Sequence, residues 1–520
     1  MISEHYKKKI FILISVSVIV RIFLANFTEL GNDEVYYWTY ALYPDLSHFD
    51  HPPMVGFMIQ LFSFNLFFES ELWIRLSSIV LGSVNIWLIY LIGSRINGNR
   101  TGFYSAVLYV SSLYGSVITG IFILPDTPQM FFWVLSLFYI IQMVEPNNQI
   151  KQSNFLFIAF GITAGLALLS KYTSIFLWIG VFIYVLIYNR QKLKTGILYL
   201  SVMISILIFL PVILWNFQND FISFTFQGGR VAISDKSFFR PDYFLLEILG
   251  EFFYNNPINV VIVILSLFSI AKRRIPINPQ IKILLSIGLP LIITFLVISL
   301  FKRTLPHWTA PGYTTLLIVA AYYLDISYQE ITKKGILPSI LKYSLLLLGF
   351  VVILSFLQIN FGLIRFENPN KVSAQSLGKM DISLDIYGWR QIGTKFTSIH
   401  QRDQQNGTFK SNTIISHRWF PAANLDYYAA KPNQMNVLAI GYISAIHKYY
   451  WINWQRGGFH LGMDAYCITT SHDYSDPVVD FSQFFTTVEP SDTIRIERGG
   501  KHVMNAFVYR LTDMKRLPKW

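Results

Sequence analysis

The sequence predicts an α-helical polytopic membrane protein with a C-terminal soluble α/β domain, and three observations predict it. Of the 520 residues, 53% are hydrophobic and 14% charged, against roughly 25% charged in ordinary soluble domains. The mean hydropathy is +0.43. Apolar runs long enough to cross a bilayer recur from residue 10 to residue 361, with basic residues in the short turns between them. The net charge of +12 therefore reads as membrane topology, and no nucleic-acid partner is expected. One cysteine, Cys467, excludes an intramolecular disulfide.

The first apolar run, 10–27, follows Lys7, Lys8 and Lys9. It resembles a signal peptide in charge order, but no small-residue cleavage site follows, so it is expected to be a retained span. A loop over 28–72 comes next, containing the shorter run 54–68, expected to be a helix against or re-entering the membrane. Further spans are expected at 73–93, 102–122, 128–144, 155–170, 173–188, 196–216, 257–271, 281–301, 309–325 and 338–361. That makes about eleven spans, or more if the shorter run also crosses. Beyond 364, short alternating runs such as Thr413-Ile414-Ile415 and Ala506-Phe507-Val508-Tyr509 replace the long apolar ones. The expected division is thus 1–363 in the membrane and 364–520 as a soluble domain.

Topology then sorts the polar groups. With the N-terminus inside, the inner turns hold Lys7 to Lys9, Arg95 and Arg100, Lys151, Arg190, Lys192 and Lys194, Lys272 to Arg274, and Lys333 and Lys334. Every inner turn is basic, as the positive-inside bias requires. The other face receives the 28–72 loop, Leu124-Pro125-Asp126, Ser170-Lys171-Tyr172, a 217–256 loop, the 302–308 turn and the soluble domain. Every chemically interesting group falls on that outer side.

In the first loop, Gly31-Asn32-Asp33-Glu34 places two adjacent carboxylates where a span leaves the bilayer, a costly place for charge. Asn32 is a good helix N-cap, and acids in a first turn are favoured by the unpaired N–H groups and the dipole. Neighbours on a helix point about 100° apart, so one acid can face substrate as a base while the other orients its surroundings. His48, Asp50 and His51 offer ligand types suited to a divalent metal, or hydrogen bonds that fix the loop before Pro52-Pro53. Asp126 reads as the cap of a span with Pro128 in its first turn. Lys171, Arg230, Lys302, Arg303 and His307 make the outer face unusually basic. A lipid-linked phosphate would account for that, through charge-assisted hydrogen bonds to phosphoryl oxygens.

These stretches resemble the multispanning GT-C glycosyltransferases that use polyprenyl-phosphate sugars. Most similar is the bacterial branch related to protein O-mannosyltransferases and to the lipid A aminoarabinose transferase (family 39/83-like). The resemblance rests on Asn32-Asp33-Glu34-Val35-Tyr36-Tyr37-Trp38 with His48-Phe49-Asp50-His51-Pro52-Pro53, and extends through Leu124-Pro125-Asp126-Thr127-Pro128, Leu169-Ser170-Lys171-Tyr172-Thr173, Ser223-Phe224-Thr225-Phe226-Gln227 and Pro306-His307-Trp308-Thr309-Ala310-Pro311. It covers about residues 1–325. It implies a GT-C fold, with Asp33 as the acid on which catalysis depends and Glu34 as its partner. Tyr37, His48, Asp50, His51 and Asp126 would line the substrate cavity, and Lys171, Arg230, Lys302, Arg303 and His307 would lie near the donor phosphate. The implied reaction is an inverting transfer from a polyprenyl-phosphate sugar to a glycolipid, polysaccharide or protein hydroxyl. It requires no cofactor, although a divalent metal remains compatible. The implied location is a bacterial inner membrane, facing the periplasm. The competing reading is a transporter or flippase of lipid-linked sugars. It is disfavoured because the polar groups gather at one face and no internal repeat is visible.

Overall fold

The computed structural model describes residues 2–145, 150–233, 238–328, 337–368 and 371–518. Lys333 and Lys334 of the last inner turn lie outside the described residues. The chain forms two compact units that do not follow chain order. One comprises Met1–Ala25 with Pro44–Val351, the other Asn26–Tyr43 with Val352–Trp520.

The first unit is helical. Its elements are α1 (Ile2–Phe27), α3 (Met54–Phe62), α4 (Leu76–Asn97), α5 (Asn99–Ser111), α6 (Asp126–Met143), α7 (Ile150–Leu168), α8 (Ile175–Tyr188), α9 (Gly196–Gln218), α10 (Ile222–Val231), α11 (Pro241–Tyr254), α12 (Pro257–Ala271), α13 (Pro279–Ser299), α14 (Ala310–Ser327) and α15 (Ser339–Phe361); α2 belongs to the second unit, as do the end of α1 from Asn26 and the end of α15 from Val352. Each of the eleven expected spans falls on a helix. By length and apolarity, five of the described helices can cross a membrane: α1, α4, α9, α13 and α15. The pair α11 and α12, bent by 103°, makes a sixth if counted as one broken span. Helix positions therefore match the expectation, while a count of eleven crossings does not follow from length and composition.

Two local expectations are corrected. The 102–122 run is not one continuous helix: α5 stops at Ser111, Ser112 is extended, and a π-helical turn covers Tyr114–Ile118. Arg21 of α1, buried despite its charge, donates to the carbonyl of Gly115 in that turn at 3.1 Å. The irregular backbone supplies an acceptor that a regular helix would have used internally. The 217–256 stretch is largely helical rather than a loop. Phe221 in the left-handed region starts α10, and Pro241 takes the first position of α11.

Helix contacts in this unit rely on close backbone approach, as in membrane bundles generally. A Cβ on Gly180 of α8 would lie 2.5 Å from Ile287 Cγ1 and 2.6 Å from Ile287 Cα of α13. Polar ties add to the packing. Asp325 of α14 accepts from Asn97 at 3.0 Å, Thr101 at 2.5 Å and Arg100, which accounts for one inner-turn arginine as structural.

The second unit contains α2 (Asn32–Leu42), α16 (Trp389–Asn406) and a five-stranded mixed sheet. Its strands are β1 (Thr413–Ser416), β2 (Asn436–Ala439), β3 (Ala465–Thr470), β4 (Phe485–Arg498) and β5 (Lys501–Met514), in spatial order β2-β1-β3-β5-β4. β1 runs parallel to β2 and β3, while β5 is antiparallel to β3 and β4. β3 is buried at every position, as a central strand covered on both faces must be.

Gly180→Val should overpack the α8–α13 contact and cost about 1–3 kcal/mol. Thermal unfolding of the purified protein in detergent measures it, and an unchanged midpoint would mean the two helices can separate without loss.

Candidate active site

In the second unit, the helix carrying the first-loop acids is held on several sides. α2 starts one residue earlier in its capping than Asn32 suggests: Gly31 is the N-cap and Asn32 the first helical residue. Asn32 is therefore released from capping and ties the helix laterally. Its amide donates to Asp385 Oδ1 at 3.1 Å, and its carbonyl oxygen accepts from Asn424 at 2.8 Å. Upstream, the Leu30 amide donates to the Tyr428 hydroxyl at 2.7 Å, and Glu29 accepts from the Trp389 amide at 2.7 Å. Burial pushes the Glu29 carboxyl up to about 7, the largest of its influences.

The two adjacent acids part company. Glu34 is buried, and its Oε2 accepts from the Gly31 amide at 2.9 Å, closing the helix start. Asp33 is exposed, in the first turn, where the helix dipole favours a carboxylate. Tyr37 is buried in an aromatic stack with Tyr36 and Tyr40, at centroid distances of 5.4 and 5.3 Å.

The first unit gathers a second set. Asp126 opens α6 but does not cap it. Instead its Oδ2 accepts from Lys171 Nζ at 2.8 Å and its Oδ1 from the Tyr114 hydroxyl at 3.0 Å. Both partners of the ion pair are buried. The lysine gets there because α7 ends just before it and Lys171 adopts an extended conformation leading into a short 3₁₀ turn. His51 and His307 share electrostatic influence with this pair and with Arg230, so four expected site residues converge on Asp126. Arg230 stacks its guanidinium on Trp308, 4.7 Å from the ring centroid. Burial lowers the His51 imidazole to about 4, opposed by Asp50 and aided by Lys171. Burial and then Lys171 lower His307 to about 3. Both shifts favour the neutral imidazole, which offers a hydrogen bond rather than charge.

Other expected residues are placed differently. His48 and Asp50 are buried, Phe49 between them packs on Phe226 at 4.6 Å, and Gln227 donates to the Asp50 carbonyl. Among the described residues no group of three His, Cys, Asp or Glu side chains is arranged to hold a metal ion, so His48, Asp50 and His51 are not gathered as a ligand set. Lys302 and Arg303 precede His307 on the same turn, and among the described residues neither forms an ion pair. Tyr114 is not marked by the sequence, because in a chain with 17% aromatic residues nothing distinguishes one tyrosine as a hydroxyl donor, while Trp308 and Gln227 lie in the motifs of the resemblance without an assigned role.

Residues 50–215 match the family described as dolichyl-phosphate-mannose-protein mannosyltransferase. The lipid A galacturonosyltransferase RgtD of Rhizobium johnstonii is 20% identical over 407 residues, 78% of this chain and 82% of that one. ArnT from Cupriavidus metallidurans in the apo state superposes with a TM-score of 0.60 at 13% identity, over 95% of this chain and 97% of the other. The same protein bound to undecaprenyl phosphate gives 0.61 at 14% identity over equal shares. The structural likenesses cover 95% of the chain and the family match residues 50–215; together they bear out the resemblance to GT-C glycosyltransferases and the expected multi-pass helical membrane fold.

Lys171→Met should strand the Asp126 carboxylate and cost about 3–5 kcal/mol, most of it recovered in Asp126→Asn/Lys171→Met. Equal thermal midpoints for single and double variants would refute the coupling. The lowered histidines set a pH dependence. The unfolded chain takes up protons near 6.5 while His51 and His307 resist until about 4 and 3. Stability should therefore fall as pH drops from about 6.5 toward 4. His307→Gln should flatten that slope in thermal melts across pH, and an unchanged slope would remove His307 from it.

Proposed function

We propose that this GT-C glycosyltransferase moves a sugar from a polyprenyl-phosphate donor to a hydroxyl acceptor, a glycolipid of the lipid A kind being the leading class. The proposed face is the periplasmic side of a bacterial inner membrane: the positive-inside count supplies the outer face and the family resemblance the bacterial membrane. The observation that carries the reading is the convergence of Lys171, Arg230 and two neutral imidazoles around buried Asp126. Such a cluster suits a phosphate better than a neutral sugar, because Lys and Arg donate charge-assisted hydrogen bonds to phosphoryl oxygens. The full-length likeness to ArnT, solved with undecaprenyl phosphate, supports the donor class.

In the proposed reaction the acceptor oxygen attacks the anomeric carbon while the bond from that carbon to the phosphate oxygen breaks. The acceptor proton passes to Asp33, and the electron pair leaves on polyprenyl phosphate. The anomeric centre inverts because attack comes opposite the leaving oxygen. Asp33 suits the base role because it is ionisable and exposed, in a first helical turn that favours its carboxylate. Arg230 and Lys171 would stabilise charge on the departing phosphate, the term that most lowers such barriers. The proposal leaves that task to protein cations without a divalent metal, and retained activity in EDTA checks it.

The central measurement incubates purified protein with polyprenyl-phosphate sugars and candidate acceptors and follows free polyprenyl phosphate by mass spectrometry. Asp33→Asn should abolish release while the thermal midpoint stays within the wild-type range; full activity in that variant would remove Asp33 as base. Arg230→Ala should lower kcat/KM for the donor by roughly 10–100-fold, the worth of one charged hydrogen bond, with a smaller effect on acceptor KM. Intact lipid changing leaflet in liposomes without release would favour a flippase.

A further inference from the structure

The second unit contains a cavity that none of the proposed chemistry uses. It measures about 220 Å³ and is lined by the chain just after α15 and by the β4–β5 hairpin. Arg365, Arg498, Lys501 and His502 supply its basic groups. Its two acids, Asp381 and Glu367, are already engaged. Asp381 accepts from Arg498, and Glu367 accepts from the backbone amides of Gly378 and Met380. Arg365 and Lys501 are exposed, and among the described residues neither forms an ion pair. The surplus of available charge in the lining is positive.

Depth in the membrane follows from the same residues. α15 ends at Phe361, and its apolar length qualifies it as a span. Gly362 breaks the helix in the left-handed region at φ +63, where a Cβ would lie 2.8 Å from Arg498 Nε. The hairpin tip closes on the same point, for a Cβ on Gly499 would lie 2.8 Å from the Phe361 carbonyl oxygen. The cavity is therefore fixed at the end of a membrane span, where lipid headgroups lie.

Its rim is apolar and uncovered. Leu363, Ile364 and Phe366 are exposed on either side of Arg365, and Met380 (66%) and Ile382 (79%) flank Asp381. Exposed aliphatic and aromatic side chains around a basic pocket are the composition of an interfacial lipid site, with apolar groups in the acyl boundary and cations at the phosphate. Arg498 and Asp381 alone would be explained as a structural clamp on the helix end. That account leaves the exposed cations and the five rim side chains without a role.

We propose that this pocket binds the phosphate of an anionic membrane-lipid headgroup, contacted by Arg365 and Lys501 with Arg498 behind them. The rim of Leu363, Ile364, Phe366, Met380 and Ile382 enters the bilayer interface. This site is separate from sugar transfer and stands whether or not transfer is confirmed.

The test uses the full-length protein, delipidated in detergent and titrated with phosphatidylglycerol while bound lipid is counted by native mass spectrometry. Arg365→Ala/Lys501→Ala should weaken lipid binding by roughly tenfold with the thermal midpoint unchanged, since both side chains are exposed. Ile382→Asp should weaken it through the rim alone. Inorganic phosphate should neither bind measurably nor displace the lipid. Equal lipid affinity in wild type and the double variant would overturn the proposal. Phosphate that binds as well as the lipid would overturn it too, showing a soluble-anion site.

Discussion

The buried ion pair between Asp126 and Lys171 is the constraint on which the membrane unit's site depends. A charge removed from water costs several kcal/mol unless it is paired and its remaining lone pairs are satisfied. Here one carboxylate oxygen takes the lysine and the other takes the Tyr114 hydroxyl. That arrangement dictates local backbone. α7 must stop before residue 171, α6 must begin at 126, and the π turn must present Tyr114 between them. The neighbouring imidazoles respond to the same field, since Lys171 beside them and their own burial keep both neutral. The cationic groups of the cluster are Lys171, paired with Asp126, and Arg230.

The first-loop acids show a different division of labour, imposed by helix geometry. A helix start has unsatisfied amides, and the third residue can reach back to one of them. Glu34 stands there and is consumed by Gly31. Asp33, one residue earlier, is exposed. Adjacent and chemically alike residues thus receive different surroundings, one buried at the helix start and one exposed. The helix that bears them is fixed laterally by Asp385, Asn424 and Tyr428 within its own unit, so a displaced α2 would have to break several hydrogen bonds at once.

Buried arginines illustrate how this chain tolerates polarity among apolar helices. Arg21 ends on a backbone carbonyl of the π turn, and Arg75 donates to the carbonyl of Ala25 at 3.1 Å. Both use carbonyls near helix interruptions, where an acceptor exists that the helix does not need. The irregularities near residues 112–118 therefore serve two side chains, Arg21 and Tyr114, and through Tyr114 they reach the ion pair.

Sequence alone determined the membrane class, the positions of most long apolar helices, strand-like runs at 413–415 and 506–509, and most residues of the basic cluster, but not the helices at 241–254 and 389–406. Those properties follow from hydrophobic length, charge bias and local motif, which need no knowledge of distant contacts. Tertiary structure decided the rest. Which acid caps and which is exposed depends on a one-residue shift in helix start. Pairing Lys171 with Asp126 joins residues 45 apart in sequence, which no local pattern encodes. The neutrality of His51 and His307 comes from burial, a property of the assembled unit. His48, Asp50 and His51 offer ligand types in sequence, but ligation needs the side chains gathered in space, and among the described residues they are not. The grouping of α2 with the sheet domain arises from contacts among residues nearly 400 positions apart, such as Leu30 with Tyr428, where chain order carries no information.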